Sequence, residues 1–554
     1  MLEASFELFV PLVVAAIIDK GIANNDYGYI IRMCTVLAAL GVIGLVCSIT
    51  AQFFAAKAAV GVSTAFRSDM FKHIQSLSHT EIDSLGTSTL ITRMTSDINQ
   101  VQSGINLFLR LFLRSPFVVI GAMVMAFTVD FKCALVFAAA IPLLAAVVFG
   151  IILITMPLYK NAQKSLDAIT LKVRENITGA RVIRAFCMEE EEKTDFDEKN
   201  THLVNVQKYV GRISSLMNPI TYVIINFAVI ALIYIGALRV NMGALTQGEV
   251  VALYNYMSQI LVELIKLANM IITLTKALAC ANRASDVFET KNSLANGTET
   301  EGVSTAPAVE FKNVSMTYSG SQETALENIS FSAARGDIIG IIGGTGSGKT
   351  SLVNLIPRFY DTASGSVCVN GRDVREYDVD ALRKKIGVVL QKPVLFKGTI
   401  ASNLSWGGDN VTESDMEEAA IVSQSYETVK EKGGFDAPTE QGGRNFSGGQ
   451  RQRLTIARAL SGKPEILILD DSASALDFAT EAKLRSAIAA LPYKPTVFIV
   501  SQRASSIMHA DKIIVLDDGK AAGIGSHEEL LEKCDVYREI YYSQFEEEER
   551  KADE

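Results

Sequence analysis

A glycine-rich segment that follows a short apolar run carries the clearest chemistry in the sequence. It reads Gly343-Gly344-Thr345-Gly346-Ser347-Gly348-Lys349-Thr350. Its spacing, GxxxxGK[ST], lets successive backbone N–H groups converge on phosphate oxygens at the N-terminus of a helix. In such a loop Lys349 reaches the β and γ phosphates of a nucleotide, and Thr350 binds Mg²⁺. The segment therefore predicts a nucleotide phosphate site.

A second apolar run, Ile466–Asp470, ends in a carboxylate. If this run is a buried strand, Asp470 lies at the carboxyl edge of the sheet, where open α/β folds bind ligands. A carboxylate at that edge can hold Mg²⁺ beside the phosphates of a nucleotide. About 120 residues after the phosphate loop, the run therefore supports a nucleotidase.

A third segment, Asn445–Arg453, has the sequence NFSGGQRQR. It resembles the signature segment of ATP-binding-cassette ATPases, and further matches to that family extend over nearly the whole chain. These matches are Tyr318, Gln391 in the run VVLQKPVLF, Thr439-Glu440, and Ser474-Ala475-Leu476-Asp477 of the family's D-loop. The order of a membrane half, a linker and a cassette is similar to the exporter branch of the family.

The resemblance implies a role for each matching residue. Tyr318 would stack on the adenine of ATP, and the phosphate loop, extended to Ser351, would hold the phosphates. Thr350, Asp470 and Gln391 of the Q-loop would hold Mg²⁺. ATP and Mg²⁺ are therefore the expected cofactors.

The family's dimer places each ATP between the phosphate loop of one cassette and the signature of the other. The signature of this chain would therefore contact an ATP held by a partner. Asp477 would belong to the D-loop of this chain. The signature residues are Ser447, Gly448, Gly449 and Gln450.

Two residues depart from the family's pattern at the expected catalytic centre, which also contains Gln391. Asp471 stands where the family usually has a glutamate base, and Gln502 stands where it usually has a histidine. An aspartate is shorter by one methylene, and catalytic reach is sensitive at a scale of about 1 Å. A glutamine can donate a hydrogen bond but carries no positive charge to a phosphate. Both changes predict weaker hydrolysis at an intact phosphate loop.

Three interpretations follow from these departures. In the first, the chain resembles the degenerate subunit of heterodimeric bacterial multidrug-type exporters, and a different half-transporter supplies the glutamate and histidine. In the second, it forms a fully active homodimeric exporter. In the third, it is an ATP-gated regulatory or channel subunit that does not pump. An exporter of this branch would move amphipathic compounds, lipids or peptides out of the cytoplasm, but the sequence does not identify the substrate.

Long uncharged runs predict membrane-spanning helices in the N-terminal half, because about 20 apolar residues cross the hydrocarbon core of a bilayer. The run Leu8–Ile18 is too short to span. We therefore expect an all-α, six-helix-type exporter domain with a shortened first helix, either because the gene product begins further upstream or because the chain has five full helices and a stub. The longer uncharged runs are Met33–Ala56, Cys133–Tyr159 and Ile213–Leu238. Two further candidates are Ser115–Val129, which is shorter but whose apolar character continues back around Arg110 and Arg114, and about Val250–Thr275, which is apolar except for Glu263 and Lys266.

The charge of the connecting loops predicts the orientation in the membrane. The loops at about 57–109 and 160–212 carry four and ten lysine or arginine residues, whereas the alternate loops carry one or two each. Basic loops stay in the cytoplasm, which places the C-terminal ATPase domain there too, in a multi-pass protein of the cell membrane. Both loops have helical periodicity. His79–Thr92 and Leu203–Ile213 resemble the regions that contain the coupling helices of the exporter branch.

Polar residues recur on the last predicted membrane helix at Asn255, Gln259 and Glu263, followed by Lys266. Intramembrane polar residues usually face a protein interior or an aqueous cavity. The alternative is a structural pair of Glu263 with Lys266 at i, i+3. The sequence leaves both open.

Composition shifts divide the chain into four parts: a membrane domain over 1–285, a linker over 286–308, an α/β cassette over 309–545 and an acidic tail over 546–554 that we expect to be disordered. The linker is poor in large apolar residues. The 49% apolar content and the mean hydropathy of +0.24 fit a chain that is partly membrane and partly soluble.

The charge and the cysteines bear on other classes of protein. The net charge of −9 argues against a nucleic-acid partner, which favours basic patches. The seven cysteines form neither a CxxC pair nor a zinc spacing, so neither a disulfide framework nor a metal site is predicted.

Overall fold

The structure is a computed structural model that describes residues 1–303, 305–321, 323–472 and 476–552. The chain folds into two compact units. One contains Met1–Ile74 and Ser88–Glu289, and the other contains Gln75–Thr87 and Thr290–Glu554. Residues 75–87 thus group with the C-terminal unit, although the sequence assigned them to the membrane domain.

Residues 1–289 form helices joined by short turns, as the uncharged runs predicted. The first helix continues into a π-helical turn at Ile17–Ile22, and a second π-helical turn lies at Arg93–Asp97. The helices are α1 (Leu2–Ala16), α2 (Tyr27–Ser76), α3 (His79–Leu85), α4 (Thr87–Thr92), α5 (Ile98–Leu111), α6 (Arg114–Val129), α7 (Phe131–Thr178), α8 (Ala180–Ala185), α9 (Glu189–Ser215), α10 (Met217–Asn241) and α11 (Gln247–Glu289).

Five helical segments of the described chain are long and apolar enough to cross a membrane. A helix satisfies its backbone hydrogen bonds internally, which is why these sequences can pass through hydrocarbon. Helix α1 is not among the five. The five segments are Tyr27–Ser76, Thr87–Val129, Phe131–Thr178, Glu189–Asn241 and Gln247–Glu289.

The helices continue well beyond their apolar runs, as the periodicity of the two basic loops predicted. Helix α7 has 48 residues and α9 has 27. The chain turns between them at residues 179–188, where the short helix α8 lies. Leu203–Ile213 lies inside α9, so the assignment of a coupling helix to that stretch is wrong. The position of the turn was not predicted, because α9 is largely polar and its sequence resembles that of a cytoplasmic loop.

A buried carboxylate links three helices of the membrane unit. Glu263 on α11 is 2% exposed and accepts hydrogen bonds from Lys266 (2.8 Å), from Arg114 (3.3 Å) and from Ser115 (2.7 Å). Arg114 also donates to Glu7 on α1, at 2.8 Å. The structural pair of Glu263 with Lys266 is therefore present, as part of a larger charge network. The pairing compensates charges that would otherwise be costly to bury.

Helix α3 is anchored in the C-terminal unit. The ring of His79 stacks on Phe359 with ring centroids 4.5 Å apart, and Tyr360 donates a hydrogen bond to Asp83 at 2.8 Å. Burial, helped by the nearby charge of Arg383, lowers the pKa of His79, so the ring stacks as neutral imidazole at neutral pH.

The predicted linker is bound to the C-terminal unit over part of its length. Gly297 donates to the carbonyl of Tyr377 (3.0 Å), Val303 donates to the carbonyl of Asn370 (2.8 Å), and Glu299 pairs with Arg372. Backbone N–H groups form these hydrogen bonds, so the segment can bind the domain without large apolar side chains.

The rest of the C-terminal unit is an α/β domain with three sheets. A six-stranded sheet has the order β12-β11-β3-β10-β9-β6, a four-stranded antiparallel sheet has the order β2-β1-β4-β5, and β7 pairs with β8. The strands are β1 (Val309–Thr317), β2 (Thr324–Ala333), β3 (Ile338–Gly343), β4 (Ser364–Val369), β5 (Arg372–Asp373), β6 (Ile386–Val389), β7 (Gly398–Thr399), β8 (Pro438–Thr439), β9 (Ile466–Asp470), β10 (Thr496–Val500), β11 (Lys512–Asp517) and β12 (Lys520–Gly525).

Helices cover the six-stranded sheet, whose strands β6, β9, β10, β3 and β11 run parallel. Parallel strands are buried on both faces, which explains their nearly continuous apolar sequences. Beyond α3, the α-helices of this unit are α12 (Lys349–Asn354), α13 (Val379–Lys384), α14 (Ile400–Leu404), α15 (Glu413–Val422), α16 (Tyr426–Glu431), α17 (Gly448–Ser461), α18 (Phe478–Ala489), α19 (Ala504–Ile507), α20 (His527–Lys533) and α21 (Asp535–Ala552).

Helix α21 includes most of the acidic tail. Its backbone is helical as far as Ala552. Tyr537 on the same helix is fully buried, and Tyr541 and Phe545 pack on the adjoining apolar core. The tail continues a helix that is fixed by these aromatic side chains.

The phosphate loop requires glycine at specific positions. Gly346 and Gly348 have φ values of +84° and +94°, in the left-handed region that favours glycine. A Cβ on Gly348 would lie 2.7 Å from the carbonyl oxygen of Ala325 and 2.8 Å from Cδ2 of Leu326. At Gly344, by contrast, no atom of the described residues lies within 4 Å of such a Cβ.

We expect Glu263→Ala to destabilise the membrane unit by about 3 kcal/mol, because Lys266 and Arg114 lose a shared buried partner. The thermal unfolding midpoint in detergent measures the effect. Glu190→Ala is the matched control, because Glu190 pairs with Lys193 on the surface and is 87% exposed. Equal midpoints for the two variants would contradict a stabilising role for the Glu263 network.

We expect Gly348→Ala to destabilise the C-terminal unit by about 1–3 kcal/mol, because alanine there combines an unfavourable φ with a backbone clash. Gly344→Ala should leave the stability nearly unchanged, because its Cβ points into open space. Thermal unfolding without nucleotide separates this folding effect from any effect on ligand binding. Equal stability of the two variants would show that the loop relaxes around the added methyl group.

Candidate functional site

The loops after three parallel strands, β3, β9 and β10, surround one cavity of about 300 Å³. Its floor is the phosphate loop between β3 and α12. The carboxyl ends of neighbouring parallel strands meet at one edge of the sheet, which brings these loops together. The lining residues are Tyr318, Ala325, Thr345, Gly346, Ser347, Gly348, Lys349, Thr350, Ser351, Gln391, Asp470, Asp471, Val500, Ser501 and Gln502.

Lys349 begins helix α12 and closes the phosphate loop with its own side chain. Its Nζ donates to the carbonyl oxygens of Gly343 (2.9 Å) and Gly344 (2.6 Å). Burial lowers the pKa of Lys349, and the charges of Asp471 and Asp470 oppose that shift. An anion in the cavity would favour the protonated lysine in the same way.

Thr350 and Asp470 place two oxygens side by side at the edge of the sheet. The hydroxyl of Thr350 donates to Oδ1 of Asp470 at 3.1 Å. Burial raises the pKa of Asp470, and the neighbouring Asp471 acts in the same direction, whereas the Thr350 hydrogen bond opposes the shift. A carboxylate with these neighbours is stabilised in its charged form by a bound cation.

Asp471 follows β9 with a φ of +47°, a conformation that is uncommon for a residue other than glycine. Its backbone N–H donates to the carbonyl of Val500 at 3.0 Å, which fixes it to β10. Its Oδ2 accepts a hydrogen bond from Nε2 of Gln391 at 3.3 Å. The structure thus brings together the residue expected to be the base and the residue of the Q-loop.

Gln502 follows β10 and is exposed at the wall of the cavity. The preceding residue, Ser501, is hydrogen-bonded to β3, because its backbone N–H donates to the carbonyl of Ile341 at 3.0 Å. The side-chain amide of Gln502 can therefore reach a ligand in the cavity as a neutral hydrogen-bond donor.

Tyr318 lies at the end of the cavity near α12. Its hydroxyl and that of Ser351 are 2.8 Å apart, within hydrogen-bond distance. The ring of Tyr360 packs edge-on against it, with ring centroids 5.2 Å apart. These contacts orient the aromatic ring that the sequence assigned to adenine.

The signature residues lie on a separate part of the domain. Ser447 and Gln450 cap helix α17 reciprocally, with backbone–side-chain hydrogen bonds of 3.0 and 3.3 Å. Among the described residues that line the cavity, none belongs to the signature. Asp477 caps helix α18 through the backbone N–H of Thr480 at 2.7 Å. Ser474 and Ala475 of the expected D-loop lie outside the described residues.

The cavity also contains residues that the sequence did not single out as site residues. Ala325, Val500 and Ser501 line it, and Tyr360 supports Tyr318 from behind. Ser501 belongs to the segment that follows β10, so its position could have been inferred from the neighbouring Gln502. No sequence signal pointed to Ala325 or Tyr360, because they come from elements that are distant along the chain.

Comparison with protein families divides the chain in the same order as its architecture. Residues 1–264 match the ABC transporter transmembrane region, and residues 326–474 match the ABC transporter family of ATPase domains. The second match contains the phosphate loop, Gln391, Asp470 and the signature.

Relatives cover nearly the full length of the chain. An uncharacterized ABC transporter ATP-binding protein of Mycobacterium tuberculosis is 37% identical over 97% of this chain and 93% of its own. An ATP-dependent lipid A-core flippase of Desulfotalea psychrophila is 33% identical over 86% of this chain and 84% of its own. The solved structure of a bacterial Atm1-family ABC exporter with ATP bound has the same fold, with a TM-score of 0.80 at 22% identity over 98% of this chain and 96% of the other.

The membrane helices, the phosphate-loop cavity and the full-length relatives agree on one assignment. The chain is an ATP-binding transporter subunit that couples ATP hydrolysis to transport across the membrane, with its C-terminal ATPase domain in the cytoplasm. It belongs to the ABC transporter family, and it joins the membrane region and the ATPase domain of that family in one polypeptide.

Proposed function

We propose that this chain is the degenerate half of a heterodimeric exporter. The observation that carries the proposal is the wall of the cavity, where Asp471 and Gln502 stand opposite the phosphate loop in place of a longer carboxylate and a histidine. The cavity is otherwise equipped to bind ATP. The chain would thus bind the nucleotide firmly and hydrolyse it slowly.

The proposal that this chain binds ATP firmly rests on the phosphate loop. Backbone N–H groups and the charge of Lys349 would hold the phosphates, and Tyr318 would stack on adenine. The oxygens of Thr350 and Asp470, 3.1 Å apart, together with the side-chain oxygen of Gln391, are the hard ligands that Mg²⁺ prefers. In the bound state Mg²⁺ would neutralise the phosphate charge.

The proposal of slow hydrolysis rests on the length of the Asp471 side chain and on the missing positive charge at Gln502. A base must lie within about 3 Å of the proton that it removes. Asp471 has one methylene fewer than glutamate, and its carboxylate is engaged by Gln391. Gln502 would donate a hydrogen bond to the γ-phosphate without a positive charge, so it would stabilise less of the charge that develops during hydrolysis.

The signature supports the proposal of a second half-transporter. Ser447 and the N-terminus of α17 present donors on the domain surface, away from the cavity of their own chain. Anions bind well at such a helix N-terminus. We propose that these donors complete the ATP site of a different chain, which supplies the glutamate and histidine that this chain lacks.

The proposed cargo is an amphipathic compound, a lipid or a peptide. A relative that is 33% identical is described as a lipid A-core flippase, which favours a lipid or lipid-like molecule. Apolar side chains of many helices would contribute to the binding surface for such a cargo.

We expect Lys349→Ala to reduce photolabelling of this chain by an azido-ATP analogue at least about tenfold, because a charged donor to the phosphates is lost. Lys384→Ala is the control, because Lys384 is a surface lysine paired with Asp409. Labelling that is unchanged in Lys349→Ala would overturn the assignment of this cavity to ATP.

We expect the purified chain, expressed alone, to hydrolyse ATP slowly. The double variant Asp471→Glu/Gln502→His should raise its turnover at least about tenfold, because it restores a longer base and a cationic hydrogen-bond donor. The same pair of substitutions combined with Lys349→Ala should remain inactive. A wild-type chain that already turns over as fast as the double variant would support the homodimeric alternative instead.

A further inference from the structure

Gln502 lies on the short segment that joins strand β10 to helix α19. Arg503, the residue before this helix, has no side-chain hydrogen bond that caps it. The first N–H groups of a helix have no partner within it, so α19 requires an acceptor from elsewhere.

One side chain of the C-terminal helix provides that acceptor and a donor as well. Oε1 of Gln544 on α21 accepts a hydrogen bond from the backbone N–H of Ala504 at 2.8 Å. Nε2 of the same amide donates to the backbone carbonyl of Gln502 at 2.9 Å. Gln544 therefore holds the peptide groups on both sides of Arg503, which limits rotation of the segment that carries Gln502.

Helix α21 is itself firmly placed, so this contact can act as a support. The hydroxyl of the fully buried Tyr537 lies 2.8 Å from Nδ1 of His527 on α20, and Tyr541 and Phe545 pack against the apolar core of the domain. Gln544 lies one residue before Phe545, at the end of this aromatic face. A side chain that projects from a rigid helix can hold a loop in one position through its hydrogen bonds.

We propose that Gln544 is a positioning residue that aims the side chain of Gln502 at the γ-phosphate of ATP in this chain's cavity. The inference rests on the proposed role of Gln502 at that phosphate. It adds the C-terminal helix to the nucleotide site, although none of the described residues that line the cavity comes from this helix.

The test measures discrimination between ATP and ADP at this chain's own site, because a contact with the γ-phosphate affects ATP alone. The full-length chain is photolabelled with azido-ATP, and unlabelled ATP or ADP competes. Gln502→Ala should lower the preference for ATP over ADP about tenfold, the effect of one hydrogen bond to a charged group. Gln544→Met should lower it to a similar extent while ADP affinity stays unchanged.

Two further variants distinguish positioning from a general loss of structure. Gln544→Glu keeps the acceptor for Ala504 but loses the donor to Gln502, so it should reproduce the loss of preference even if Gln544→Met folds poorly. The double variant Gln502→Ala/Gln544→Met should be no worse than Gln502→Ala, because the two residues act through one contact. Ser543→Ala is the control on the same helix, because the hydroxyl of Ser543 donates to the backbone carbonyl of Ile540 in that helix.

The outcomes separate the two proposals. If Gln502→Ala lowers the preference for ATP but both Gln544 variants retain it, the role of Gln544 is wrong and that of Gln502 stands. Losses that multiply in the double variant also overturn the positioning role. If Gln502→Ala itself retains the preference, Gln502 does not sense the γ-phosphate, and both proposals fail together.

Discussion

The parallel register of strands β3, β10 and β9 is the constraint on which the ATPase site depends. Val500 at the end of β10 pairs with Ile341 on one side and with Asp470 on the other. The loops that follow the three strands therefore leave the sheet at the same edge. A one-residue slip in either pairing would turn the side chains to the opposite face of the sheet.

Burial at this sheet edge gives the site its electrostatic character. Lys349 and Asp470 both lose solvation, so the pKa of the lysine falls and that of the carboxyl group rises. Both shifts disfavour charge, and a ligand that brings phosphates and a divalent cation reverses both. In the membrane unit the buried charge of Glu263 is compensated without a ligand, because Glu263 forms ion pairs with Arg114 and Lys266.

Much of the site could be predicted from the sequence, because its motifs are local. The phosphate loop needs glycines and a lysine at fixed spacing, and the run to Asp470 is a buried strand by its composition. Helices that cross a bilayer must be long and apolar, so they are visible without any tertiary information. The turn at 179–188 and the binding of the linker were missed, because polar sequences that pack on a neighbour resemble those that face solvent.

The sequence by itself determined the order of the two domains, the membrane spans, the phosphate loop and the substitutions at Asp471 and Gln502. Each of these is a matter of residue type and spacing within one segment. Only the tertiary structure decided that Glu263 joins a network across three helices, that Tyr360 supports Tyr318, and that Gln544 holds the backbone around Gln502. Those contacts join residues far apart in the chain, and a side chain's partner depends on packing that no local pattern records.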